Sequence, residues 1–420
     1  MWLIRTVLCG LAILSLVVPA TVRAETEIVY WDFFKPGDGS PRGNALAENL
    51  KRFQAKYPDI SVKVEVLRFA EVESKLIQGS AAGSTPDVAR VYSYALPLHI
   101  SAESIQPLDR FAEKMDKSDW LLPWNSTVFA GKKFALPAEH RFFTLLYRKD
   151  LLEKAGVKVP TTWDEMCQAA GKINSPQVMG YAFGVSQASA AYYLLEWAEN
   201  MIITAGGQLF DEKGRANVNN AAGRKFFQVI ADLAGKCKAS GQAVVQFTYN
   251  EIHEGLKTGT IAMAGLGTHR YQTIRAEGAG ENLHWAPPPS FEKGKQAPVN
   301  VIGWNLVMGK YAKHPEAAWK FMEFMASPET QVITARAGET PSRKSVYKDP
   351  WFQTSEAKVM REWSEYIIKN GRSGRYPTGW LEFGQILAQG AQAVVLKGVA
   401  SGKAWDDVVE RYNKSLEGKK

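Results

Sequence analysis

Glu27-Ile28-Val29-Tyr30-Trp31, Ile60-Ser61-Val62-Lys63-Val64-Glu65-Val66 and Asp87-Val88-Ala89-Arg90-Val91 decide the fold of this chain. The first and third are short apolar runs and the second alternates apolar with polar residues, so all three read as strands. After the first, a turn-rich loop, Lys35-Pro36-Gly37-Asp38-Gly39-Ser40-Pro41, leads into a segment with Leu46, Leu50 and Phe53 on one face. That spacing predicts a helix from 45 to about 56, stopped before Pro58. A second helix is expected over 71–81, ending near Gly83. Strand, helix, strand, helix, strand in this order predict an α/β lobe with a largely parallel sheet. Its ligand site should lie beyond the strand C-termini. Trp31-Asp32, the turn at Phe69-Ala70-Glu71 and Tyr92-Ser93-Tyr94 would then share one rim.

Downstream, a second α/β block begins near Pro137. Residues 142–147 are strand-like, and a short helix over 149–155 closes at Gly156. Thr162-Trp163-Asp164-Glu165 is a capping box, with Thr162 accepting from the Glu165 backbone and the Glu165 carboxylate reaching back. A long helix is expected over 190–203, ending at Gly206-Gly207, and a buried strand over 261–264, before Gly265-Leu266-Gly267-Thr268-His269. Pro287-Pro288-Pro289 marks a connection; then come a strand over 301–308, a helix over 315–325 and a mainly helical tail from Asp349-Pro350.

Upstream, residues 1–24 carry Arg5, an apolar core over 7–18 and the small-residue end Val22-Arg23-Ala24, the pattern of a secretory signal peptide. Gly10 and Pro19 interrupt the run, which is shorter than the roughly 20 residues of a membrane span. Cys9 lies inside the apolar stretch and not at its C-terminal edge, which argues against a lipid anchor. The rest of the 420 residues is long enough for two or three domains. The net charge of +8 is spread along the chain, and no basic run with interleaved aromatics suggests nucleic-acid binding. Beyond the leader, Cys167 and Cys237 are either one disulfide or two buried thiols, and have no metal or redox spacing. Among the 13 tryptophans, Trp319 and Trp363 sit inside helical patterns, whereas Trp31, Trp304 and Trp380 stand at segment ends, where an indole can serve as a ligand platform.

Catalytic signatures are missing. Gly79-Ser80-Ala81-Ala82-Gly83 has the wrong spacing for a nucleophile elbow, and His253-Glu254 lacks the second histidine of a zinc-protease helix. Gly265-x-Gly267 lacks the third glycine and the strand-to-helix setting of a phosphate loop.

Taken in order, several stretches resemble the bacterial extracellular solute-binding proteins, the maltose-binding-protein-like kind that feeds ABC transporters. They include Phe53-Gln54-Ala55-Lys56-Tyr57-Pro58, Ala81-Ala82-Gly83-Ser84-Thr85-Pro86-Asp87-Val88, Gln106-Pro107-Leu108-Asp109 and Gly131-Lys132-Lys133-Phe134-Ala135-Leu136-Pro137. Leu146-Tyr147-Arg148-Lys149-Asp150-Leu151-Leu152 and Pro160-Thr161-Thr162-Trp163-Asp164-Glu165 follow, then Gly259-x-Ile261-Ala262-Met263, Pro315-Glu316-Ala317-Ala318-Trp319-Lys320-Phe321 and Gly338-x-x-Pro341-x-Arg343. The resemblance implies a two-lobe periplasmic binding protein fold of type II. Each lobe would be a mostly parallel sheet flanked by helices, with three interlobe crossings near Pro137, Val301 and Ser345. Lobe one would be 25–137 plus 302–345, and lobe two 138–301 plus 346–420. It further implies a monomeric periplasmic protein without cofactor, metal or catalytic activity, which binds a sugar in the cleft and hands it to permease subunits in the inner membrane.

Sugars offer apolar C–H faces and a ring of hydroxyls, so the site should combine aromatic rings with charged and amide groups. On the first lobe the candidates are Trp31, Asp32, Glu71, Tyr92 and Tyr94, with Glu71 alternatively a plain helix-N-terminal acid. At the first crossing, Glu139, His140 and Arg141 cluster, either as ligand contacts or, for Glu139 and Arg141, as a salt bridge. The resemblance places Gln187 and one of Tyr192 and Tyr193 on the second lobe, and puts His269 where the family commonly carries a stacking tryptophan. Trp304, Asn305 and Trp380 complete the set, with a core role as the competing reading for Trp380. Arg90, Arg141, Arg270 and Arg343 suggest a second reading, a glycerol phosphate or other charged polyol ligand. A secreted glycosidase using Asp32 or Glu71 is the third and least favoured.

Overall fold

The computed structural model describes residues 26–217 and 221–417; the leader lies outside the described residues. The first lobe is built on a five-stranded sheet in the order Ile60–Val66, Thr26–Asp32, Val88–Tyr92, Trp304–Met308, Leu136–Pro137. Ile28, Tyr30 and Asp32 alternate inward along the first strand, which pairs in parallel with Ile60–Val66 from Thr26↔Ile60 to Asp32↔Val66. Side-chain alternation then feeds two cores. Val88, Leu306 and Met308 pack with Phe53 and Phe321 on one face, while Ala89, Val91 and Val307 pack with Val72 and Leu76 on the other.

The first helix runs Pro41–Lys56, starting earlier than the apolar spacing predicts. Ser40 caps it by accepting from the Gly43 N–H, and Pro41 occupies the first turn, where its missing N–H costs nothing. The helix Phe69–Ala81 agrees with expectation, as do Lys149–Ala155, closed by the left-handed Gly156, and Pro315–Met325.

The second lobe holds the sheet Met263–Gly267, Phe143–Arg148, Leu283–Ala286, both pairings antiparallel. This corrects the mostly parallel expectation: the first sheet is mixed and the second is antiparallel among its named strands. Parallel pairing needs a strand-helix-strand step within one sheet. Here Trp304–Met308 instead returns from the other lobe, and Met263–Gly267 and Leu283–Ala286 both run opposite to Phe143–Arg148. The central helix, Tyr192–Thr204, is buried on every side, and Lys358–Asn370, Trp380–Lys397 and Ser401–Glu417 form the helical tail.

Cys167 and Cys237 are joined as a disulfide that ties the helix Trp163–Ile173 to the segment after Ala221–Ala231. The three crossings run side by side: Arg141 bridges Ile302 and His140 bridges Thr340, both antiparallel. Their closeness demands glycine at 303, where a Cβ would lie 2.2 Å from the Glu139 carbonyl oxygen. Among the described residues no helix is long and apolar enough to cross a membrane.

Candidate functional site

Between the lobes lies a cavity of about 390 Å³. Its first-lobe wall is an aromatic group at the end of the sheet. Tyr92 ends its strand directly opposite Trp304, which begins the antiparallel neighbour, and the two rings are 4.8 Å apart. Phe33 adds a third ring, 4.4 Å from Trp304. What aims Phe33 is Asp32, whose buried carboxylate accepts from the Phe33 N–H at 2.7 Å, the Phe34 N–H at 3.2 Å and the Tyr30 hydroxyl at 2.6 Å. Burial pushes the Asp32 carboxyl up, against the pull of Arg90 and these hydrogen bonds. Arg90 lies behind, 3.7 Å from Asp32 and 2.9 Å from Glu339.

The second-lobe wall comes from three places. The start of the helix Tyr192–Thr204 contributes Tyr192, Tyr193 and Glu196; the capped start of Tyr249–Thr258 contributes Thr248 and Tyr249; and the turn after Met263–Gly267 contributes His269 and Arg270. Glu196 is the hub. Its two carboxylate oxygens accept from the Tyr92 hydroxyl, at 2.5 Å and across the cleft, and from the Tyr249 hydroxyl. Burial raises its pKa, although the two tyrosines and Arg141 favour the charge. His269 is pushed well below the usual range, first by burial and then by Arg141, Arg270 and Arg42 around it, so it stands there as a neutral ring.

Arg141 lines the cavity from the first crossing, its guanidinium 5.6 Å from the Tyr92 ring centre and 5.9 Å from that of Trp304. Glu139 lies behind it and accepts from Arg141 Nε at 2.8 Å. Burial works against this cation, but Glu139, with Tyr92 and Glu196, holds it above the usual guanidinium value.

Of the residues expected at the site, Tyr92, Arg141, Tyr192, His269 and Trp304 line this one cavity. The others do not, each for a visible reason. Trp31 points to the opposite sheet face from Tyr30 and Asp32, and its Nε1 donates to Glu65 on the neighbouring strand at 2.9 Å. Asp32 holds the Phe33 turn from behind, and Glu139 is taken up by Arg141. Glu71 pairs with Arg68 and Lys75 at the start of its helix, the plain-acid alternative. Tyr94 and Trp380 are buried 5.1 Å apart behind Tyr92 and Tyr192, where they buttress the cavity wall. Gln187 is engaged with Gln385, Gln389 and Gln392 of the helix Trp380–Lys397. Asn305 donates to Ser93 at 3.1 Å and, with His140, borders a different hollow of about 800 Å³. That hollow is larger, and its rim is formed by loops at 211–214 and 373–378, which bring Asp211, Glu212 and Arg375 to its edge. Arg343 of the charged-ligand reading is bound to Asp119 at 2.7 Å.

Sequence reasoning missed Phe33, Arg42, Glu196 and Tyr249. Two of them carried a signal. Arg42 puts a cation in the first turn of a helix, against the macrodipole. Glu196 is a lone carboxylate in the otherwise apolar run Tyr193-Leu194-Leu195-Glu196-Trp197-Ala198.

Among the described residues, His253, Glu254 and Glu277 group potential metal-ligating atoms within 4.8 Å. Glu277 is hydrogen-bonded to His253 at 2.7 Å and Glu254 is paired with Lys257, so each carboxylate already has a partner within the protein.

The family model of the bacterial extracellular solute-binding proteins matches residues 37–332. The chain belongs to this family. The family is one of binding proteins and not of enzymes. A probable ABC transporter-binding protein of Deinococcus radiodurans is 29% identical over 236 residues, 54% of each chain. The arabinooligosaccharide-binding protein of Bacillus subtilis is 23% identical, covering 83% of this chain and 79% of its own. In structure, this solute-binding protein is similar to maltose-bound MalE3 of T. maritima, with a TM-score of 0.78 at 23% identity over 93% of this chain and all of the other. That likeness shows the two-lobe fold.

Proposed function

We propose that this protein is the periplasmic substrate-binding component of an ABC importer, that it captures a mono- or oligosaccharide in the 390 Å³ cavity, and that the sugar-loaded form is what the inner-membrane permease receives. In this reading the lobes divide at about 137, 301 and 345, the leader directs export, and the protein acts as a monomer. The observation that carries the reading is the cross-cleft group of Tyr92, Trp304 and Phe33 facing Glu196. Aromatic rings suit the apolar faces of a pyranose, and a carboxylate and guanidinium groups suit its hydroxyls. The walls belong to different lobes, so a sugar completes its contacts only when they approach. That differential affinity is what closes a hinge. The relatives lend support, since one binds arabinooligosaccharides by its description and a structural neighbour holds maltose. A thermal-shift and tryptophan-fluorescence screen over neutral and acidic mono- and oligosaccharides tests it. At least one sugar should raise the melting temperature and perturb the emission, and silence across the whole panel would contradict sugar capture.

A further inference from the structure

We infer that the cavity carries a subsite for an anionic group on the sugar, a carboxylate or a phosphate ester, gripped by Arg270 of the second lobe and Arg42 of the first. The inference rests on the sugar-capture reading and names the class of sugar. It comes from how the guanidinium groups are matched. Arg90 meets Glu339 at 2.9 Å and Asp32 at 3.7 Å, and Arg141 is bound by Glu139. Arg42 reaches a carboxylate only at 3.9 Å, and that carboxylate is the Glu339 already held by Arg90. Its Nη2 donates to the His269 carbonyl at 3.3 Å, beside Arg270. Arg270 has no ion-pair partner among the described residues; its Nε is buried without a hydrogen bond, and Nη1 faces His253 Nδ1 at 3.4 Å.

The cavity itself does not supply the missing charge. Among the described residues Glu196 is the one acidic member of its lining, and both its oxygens are engaged by tyrosine hydroxyls. His269, between the two arginines, leaves Nδ1 without a partner. The proton affinities divide the same way: burial pulls Arg42 and Arg270 below the usual guanidinium value, whereas Arg90 and Arg141 are held above it by their carboxylates. A sugar hydroxyl can accept a hydrogen bond from these groups but cannot neutralise them. A carboxylate or phosphate does both, in the bidentate geometry that guanidinium favours. Because the two arginines come from different lobes, such an anion would also draw the cleft shut.

Calorimetric titration of the protein with D-glucuronate, D-galacturonate, D-glucose 6-phosphate and D-galactose 6-phosphate, each beside its neutral hexose, tests this. We expect at least one acidic sugar to bind tighter than its neutral counterpart by about tenfold or more, and the ratio to shrink as salt rises from about 50 to about 500 mM. Whether uronate or phosphate wins identifies the anion. The preference ratio should collapse in R270Q; R42Q and the salt series supply the same readout if R270Q fails to fold. Neutral hexoses binding as tightly as acidic ones would overturn the subsite and leave sugar capture standing. No binding by any sugar of either panel would contradict both.

Discussion

Trp31 and Trp304 look alike in the sequence, each an indole at the edge of an apolar run, yet one residue of strand parity separates their fates. Trp31 lies on the sheet face away from Asp32, while Trp304 faces Tyr92 across the ladder and lines the cavity. W304A should therefore weaken sugar affinity about 100-fold or more while keeping a cooperative melt, and W31A should change affinity less than about threefold; calorimetry on the two variants checks both, and the reverse order would contradict the placement. A second residue effect is one of pH. Burial raises the Glu199 carboxyl to about 8, against about 4.3 in an unfolded chain. The folded protein thus keeps a proton that the unfolded chain releases. This contribution is full below about pH 4.3 and is lost as pH rises through about 8. In urea unfolding, the stability of wild type relative to E199Q should fall by up to roughly 1.4 kcal/mol per unit between pH 5 and 8; a difference independent of pH would refute a protonated Glu199. At this scale the sequence was legible wherever a residue stood out against its surroundings. Tyr92 and Trp304 were visible as rings at strand ends. Phe33 was not, because its direction is set by the Asp32 hydrogen bonds, which no pattern of apolar residues encodes.

Elements were more legible than residues, and their errors share a cause. Helix caps were read by residue type, but geometry chooses among neighbours. Thr162 does accept from the Glu165 N–H at 3.2 Å, yet the Glu165 carboxylate binds the N–H and hydroxyl of Thr161 instead. The reciprocal box is formed by Thr248 and Glu251, at the start of a helix that supplies Tyr249 to the cavity. Sheet direction failed for a different reason: strand polarity depends on which lobe the chain has come from, and local spacing is blind to that. The Cys167–Cys237 disulfide was one of two open alternatives, since two cysteines without further signature fit either a disulfide or buried thiols. It closes a long loop, so the C167S/C237S double variant should unfold at lower denaturant, with a loss of about 2–4 kcal/mol. Equal midpoints for the variant and wild type would show that the cross-link adds nothing.

For the whole molecule, three adjacent crossings join two lobes whose apolar residues meet around the cleft, and the Tyr92 hydroxyl reaches across it to Glu196. Neither wall alone encloses a sugar. Together they place rings on one side and a carboxylate with its tyrosines on the other. The two-lobe plan was readable from the order of strands and helices and from the resemblance that order carried. The identity of the cavity was not, because it arises from parts distant in sequence, Arg42, Tyr92, Glu196 and Arg270, that only the assembled lobes bring together. The most direct test is a crystal structure of the protein with the tightest-binding sugar of the screen. The account predicts a pyranose ring against Trp304 and Tyr92, with hydroxyls within hydrogen-bond reach of Glu196 and Arg141. Sugar density seated instead in the 800 Å³ hollow beside Ser93 and Asn305, with the Trp304 cavity empty, would contradict it.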